Sequence, residues 1–131
     1  MHLSLLTKIF KYHVMVNYIN LTSLEIIQKN LQEYLEIAEY SFSRKKYNTA
    51  VTLYYKVLVE LCDFILLQKT KKVGANHTER FDMLKLHAPE LYALASKLFR
   101  YYRDSYSEEI SEIVASTVKK EVEHAQKLVF S

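Results

Sequence analysis

Gly74 and Pro89 are the only glycine and the only proline in a chain of 131 residues. Tight turns that need a left-handed residue or a fixed φ therefore have almost nowhere to sit, and a β-sandwich is disfavoured. Hydrophobic residues make up 50%, enough for a real buried core, and the length fits one domain. Long amphipathic helices are the expected building blocks.

The apolar spacing bears this out along the chain. Thr22-Ser23-Leu24-Glu25 matches a capping box. After it, Leu24, Ile27, Leu31, Tyr34, Leu35, Ala38 and Phe42 mark one helical face, ending near Arg44-Lys45-Lys46. A second helix over about residues 47–70 is apolar nearly all round, so it belongs in the middle of a bundle. It stops at the charged stretch before Gly74. Thr78 is then placed to cap a short helix carrying Phe81, Leu84 and Leu86, and Pro89 to open the next as a first helical residue.

That fourth helix turns Leu91, Leu94, Ala95, Leu98, Tyr102 and Tyr106 inward. A second capping box, Ser105-Tyr106-Ser107-Glu108, is expected to open the last helix, with Ile110, Ile113, Val114, Val118, Val122, Ala125 and Val129 facing the core. The fold class is all-α: an up-and-down bundle of four long helices plus a short extra helix, over residues 23–131. Residues 1–22 form an N-terminal arm or short helix. There Leu6, Ile9, Phe10, His13 and Val16 keep helical spacing, while residues 14–18 alternate as a strand would. Met15 is an alternative start. The arm is expected to cover the bundle or a second subunit.

Several function classes fall away. A net charge of +3 is too mild for a large duplex-binding surface, though a local basic patch is compatible with it. Cys62 is the single cysteine; inside an apolar helical run it reads as a buried, inert thiol in a reducing compartment. No run of about 18 uninterrupted apolar residues exists to span a membrane, and no small-residue cleavage site follows the first apolar stretch. The expectation is a cytoplasmic protein with no membrane association. His77 and His87 fall at opposite ends of the third helix, so they cannot share a metal, and no cofactor or metal site is expected. With one glycine there is no glycine-rich phosphate loop.

Chemistry concentrates in Arg100-Tyr101-Tyr102-Arg103-Asp104-Ser105-Tyr106. Arg100, Arg103 and Asp104 share a helical face at i, i+3 and i+4, and Tyr102 and Tyr106 share the adjoining one. In an up-and-down bundle this end of helix four lies at the same end as Arg44-Lys45-Lys46. Such a cluster of cations and tyrosine rings suits a phosphate or a single-stranded nucleotide, by charge and stacking. The bland alternative is an Arg100–Asp104 pair on a solvated helix end.

The first hairpin, with Ala38, Phe42, Tyr47, Ala50 and Tyr54, looks like one tetratricopeptide unit. The pattern does not return about 34 residues later, so a repeat array is rejected. A broader resemblance rests on Tyr47-Asn48-Thr49-Ala50-Val51-Thr52-Leu53-Tyr54-Tyr55, on His77-Thr78-Glu79-Arg80-Phe81 and on the Arg100–Tyr106 segment. Over roughly residues 24–131 the chain is similar to the HEPN (higher eukaryotes and prokaryotes nucleotide-binding) family, its small stand-alone prokaryotic members above all. The resemblance implies an up-and-down helical bundle, a homodimer, and often a metal-independent ribonuclease or toxin neutralised by a small nucleotidyltransferase partner. Active members place a histidine a few residues after an arginine. Here Arg103-Asp104 is followed by Glu108, Glu109 and Ile110, and Arg100 by Ser105 and Tyr106, with no histidine. The resemblance thus implies a module binding nucleotide or RNA through Arg100, Arg103, Asp104, Tyr102 and Tyr106. An active ribonuclease using Tyr106 or His77, and a purely structural interaction bundle, stand as alternatives.

Overall fold

A computed structural model describes the backbone of residues 21–131 and the side chains from Ser23 onward. The arm expected over residues 1–22 lies outside the described residues except for its last two positions, which are already helical. Five helices follow: α1 (Leu21–Ser43), α2 (Tyr47–Thr70), α3 (His77–His87), α4 (Pro89–Asp104) and α5 (Glu112–Phe130). Among the described residues there is no strand. Over the described residues the fold is all-α, with four long helices and a short third one.

The expected central helix is central. On α2, Ala50, Val51, Tyr54, Tyr55, Val57, Leu58, Leu61, Cys62, Phe64, Leu66 and Leu67 are all buried. Helices α1, α3, α4 and α5 each pack on it, and α4 also packs on α3 and α5. Five contacts set the directions. Asn30 of α1 meets Glu60 of α2, and a short turn joins the two helices, so they run antiparallel. Lys69 near the end of α2 donates to the His87 carbonyl just before α4, whereas α4 ends with Ser105 against Thr52. Lastly, α5 begins with Glu112 accepting from the Tyr47 hydroxyl at 2.9 Å and ends with Phe130 against Phe64. The long helices therefore run up, down, up and down.

Helix ends depart from the expectations in instructive ways. A cap residue sits outside helical φ/ψ; because Leu21 and Thr22 are already helical, the box at Thr22–Glu25 lies inside α1 rather than at its start. The cap of α3 is Asn76, which accepts from the Glu79 amide at 2.9 Å, not Thr78. The last helix starts six residues later than expected, with its cap at Ser111, whose hydroxyl accepts from the Val114 amide.

The reason for that delay is Asn48. Its amide donates to the carbonyls of Ser105 and Glu108, and its carbonyl accepts from the Ile110 amide at 3.0 Å. This clamp folds residues 105–111 over the start of α2 and buries Ile110. Ser105 closes α4 instead of opening α5, with its hydroxyl on the Tyr102 carbonyl and on Thr52. In consequence Tyr106 and Ile113, expected inside, are 66% and 79% exposed. Leu86 on α3 is exposed as well.

The scarcity of glycine also shows at the helix ends. Helix α1 closes in a Schellman pattern, Lys46 N to Ser41 O at 2.8 Å and Lys45 N to Phe42 O at 3.0 Å. The left-handed residue there is Lys45 (φ 60°), and at the end of α2 it is Lys71 (φ 63°). A Cβ in that region is strained by about 1 kcal/mol. Lys45→Gly is accordingly expected to raise stability by roughly 0.5–1 kcal/mol, read as a higher midpoint in thermal or urea unfolding. An unchanged or lower midpoint would refute this account of the turn.

Candidate functional site

Along α2 a polar stripe runs through the apolar surface. Lys56, Glu60 and Asp63 recur at i, i+4 and i+7 and therefore share a face. Opposite them, α3 presents His77 at its first position and Arg80 one turn later. The Arg80 guanidinium lies flat on Asp63, Nε to Oδ1 at 2.8 Å and Nη2 to Oδ2 at 3.2 Å. The two side chains are only 12% and 11% exposed. Burial works against the charge on Arg80, but the hydrogen bond and charge of Asp63 outweigh it and its pKa is raised.

Beside this pair opens a pocket of about 300 Å³. Tyr34 of α1, Lys56, Val59 and Glu60 of α2, Ala75 and Asn76 of the connecting loop, His77 and Arg80 of α3, and Tyr102 of α4 line it. The volume is at the lower end of small-molecule sites. Another hollow of about 220 Å³ lies near the end of α2, lined by Ile65, Lys69, Ala88, Pro89, Glu90, Leu91 and Leu128. It holds fewer groups for chemistry, and its lysine already donates to the His87 carbonyl.

An aromatic cluster forms the floor of the first pocket. Tyr102 stacks on Tyr55 at 4.5 Å between centroids and 17° between planes, and meets His77 edge-on at 5.9 Å. Phe99 and Phe81 complete the packing around His77. The Lys56 ammonium lies 5.9 Å above the Tyr102 ring. His77 Nδ1 is 3.4 Å from Arg80 Nη1. Burial first, then the charges of Arg80 and Lys56, lower the His77 pKa, which favours a neutral imidazole at neutral pH.

Glu60 is the most perturbed acid here. Burial pushes its carboxyl up to about 7, only partly offset by a hydrogen bond from Asn30 at 3.2 Å. A carboxyl raised towards neutrality and an imidazole that burial keeps neutral, in one pocket, can exchange protons with a ligand.

The residues singled out in the sequence are divided by the fold. Tyr102 is in the pocket wall, and Tyr106 reaches it through a hydroxyl-to-hydroxyl bond of 2.9 Å. Arg103 lies over Phe99 at 5.9 Å, on the outside of the aromatic cluster. Arg100 folds onto its neighbour Tyr101, ring contact 4.8 Å and hydrogen bond 3.0 Å. Among the described residues no ion pair joins Asp104 to Arg100 or Arg103. The end of α4 does lie at the end of the bundle that holds Arg44, Lys45 and Lys46, but Arg44 rests on Tyr40 in the last turn of α1. Lys56, Glu60, Asp63 and Arg80 were missed by sequence reasoning; their signal was three charged residues at helical spacing inside an otherwise apolar helix.

No protein-family model, curated protein or solved structure matches this chain.

The Glu60 carboxyl yields a stability prediction. Folded, it keeps its proton to about pH 7; unfolded, it releases it near 4.5. The folded state binds more protons between those values, so stability falls as pH rises through that window. Glu60→Gln retains the Asn30 bond and cannot ionise. It is expected to flatten the slope and exceed wild type by on the order of 1–2 kcal/mol above neutral pH, measured by urea unfolding across pH. Parallel profiles for the two proteins would contradict the assignment.

Proposed function

We propose that this chain is a HEPN-like helical module that binds a nucleotide, or the bases of single-stranded RNA, in the pocket between α1, α2, α3 and α4. One observation carries the reading: Lys56, His77 and Arg80 converge on a pocket walled by the rings of Tyr34 and Tyr102. Lys56 supplies a point charge for a phosphate, and the rings supply stacking surfaces that accept any base. Arg100 and Arg103, one turn apart on α4, and Tyr106, bonded to the Tyr102 hydroxyl, are available to the next phosphates of a strand. Asp104, one turn after Arg100, is placed to orient that arginine once a strand is bound.

The resemblance to HEPN proteins adds a cytoplasmic homodimer working beside a small nucleotidyltransferase, as in a toxin–antitoxin pair. Ile26, Ile37 and Tyr40, exposed on α1 at spacings that share one outer face, support a subunit contact. Among the described residues no helix is long and apolar enough to cross a membrane.

In titration calorimetry, Lys56→Ala and Tyr102→Ala are each expected to weaken mononucleotide binding about tenfold or more. The Arg100→Ala/Arg103→Ala double variant should weaken binding of a single-stranded RNA while leaving mononucleotides unaffected. If neither nucleotides nor RNA bind or raise the melting temperature, the chain is a structural interaction bundle instead.

A second reading, a metal-independent ribonuclease, is favoured by one feature. His77 is held neutral beside Arg80, and Glu60 is available as an acid in the same pocket. His77 would take the proton of a 2′-hydroxyl and Glu60 would give one to the leaving oxygen. Cleavage of bulk RNA in EDTA that disappears in His77→Ala supports it. Absence of cleavage leaves binding alone.

A further inference from the structure

We propose that Glu60 makes the pocket selective for guanine, its carboxylate accepting from the two adjacent N–H groups on the Watson–Crick edge of that base. This rests on the reading of the pocket as a nucleotide site and adds the identity of the base.

The geometry begins with what Glu60 lacks. It lines the pocket with Tyr34, Lys56, His77 and Tyr102, yet among the described residues no cation forms an ion pair with it. The nearby guanidinium of Arg80 is committed to Asp63 through two hydrogen bonds. Lys56, one turn earlier on the same helix, makes no ion pair with it and lies over the Tyr102 ring. Among the described residues the one hydrogen bond to Glu60 comes from Asn30, to Oε1. A carboxylate oxygen can accept two bonds, so Oε2 is open and Oε1 retains capacity. A half-buried acid without a cation is costly for the fold alone, and such groups concentrate at sites of function.

The four bases differ in what they offer such a group. Guanine presents an imino N–H and an amino N–H side by side, a fork that fits two carboxylate oxygens. Adenine and cytosine each set one amino donor beside a ring-nitrogen acceptor, which would face the carboxylate with a lone pair. Uracil has a single N–H flanked by two carbonyls. Bases splayed from a single strand are read on these edges while stacked on aromatic rings, and rings stand next to Glu60 here. Lys56 lies along α2 from Glu60, so a phosphate at one and a base edge at the other occupy separate parts of the pocket.

Protonation gives an independent signature. Around Glu60 stand Asp63 and Lys56 on α2, Arg80 and His77 on α3, Tyr34 on α1 and Tyr102 on α4, with Asn30 as donor. Donors from guanine favour the ionised carboxylate, so the preference for guanine should decay as pH falls below about 7. Protonation of His77 acts on the phosphate of every nucleotide and cancels in the ratio.

The test is calorimetric titration of the whole chain with the 5′-monophosphates of guanosine, adenosine, cytidine and uridine, at about pH 8 and about pH 5.5. Wild type is expected to favour guanosine monophosphate by about tenfold or more at the higher pH, and by less at the lower. Glu60→Gln should lose the preference for guanosine monophosphate at both, and its cooperative urea unfolding shows that it is folded. Equal affinities for the four in wild type would overturn the inference without any variant, leaving the nucleotide site intact. So would a guanine preference that survives Glu60→Gln. No binding of any of them would remove the nucleotide site itself, and the inference with it.

Discussion

The arrangement of the pocket depends on the pair between Asp63 and Arg80. Helix α3 has 11 residues, too few to be stable alone in water, and it is attached through an irregular connection. What fixes its start against α2 is a two-point guanidinium–carboxylate contact with both partners nearly out of solvent. Removing one partner of such a pair typically costs about 3–5 kcal/mol, because the other is left as an unpaired buried charge. Once the pair has formed, His77 faces Tyr102, and the Arg80 guanidinium is committed to Asp63 rather than to Glu60. The geometry of the candidate site follows from one bond pattern.

Gly74 serves the same contact, in a way unrelated to turn geometry. Among the described residues no glycine has a positive φ. A Cβ at this position would lie 2.8 Å from the Arg80 amide nitrogen and 2.9 Å from its Cα. These are backbone atoms that cannot swing aside, so a side chain would push α3 away from α2. Among the described residues, lysines occupy the two left-handed positions while the glycine is kept for this close approach.

Much of the fold was legible because apolar residues recur at helical spacing with few interruptions. The centrality of α2, the break at 44–46 and the role of Pro89 all follow from residues close together in sequence. The errors came where a distant residue decided the outcome. Asn48 captures backbone groups of residues 105–110, and no local signal at Ser105 could reveal that the capping box there would be overridden. The candidate site was less legible for the same reason. Tyr102 was found because it sits in a dense local motif. Asp63 and Arg80 are separated by 17 residues and look, each alone, like ordinary surface charges. Arg100 and Arg103 attracted notice by crowding, yet each lies against a ring of its own helix.

The position of Cys62 has a practical consequence. Its thiol is 1% exposed at the centre of the helix on which every other described helix packs, and burial raises its pKa and suppresses the reactive thiolate. A thiol reagent can reach it only when neighbouring helices part from α2. As the sole cysteine, it makes the chain its own reporter: the labelling rate under native conditions counts opening events of the central packing. A ligand that bridges α2, α3 and α4 would slow that clock, whatever its identity.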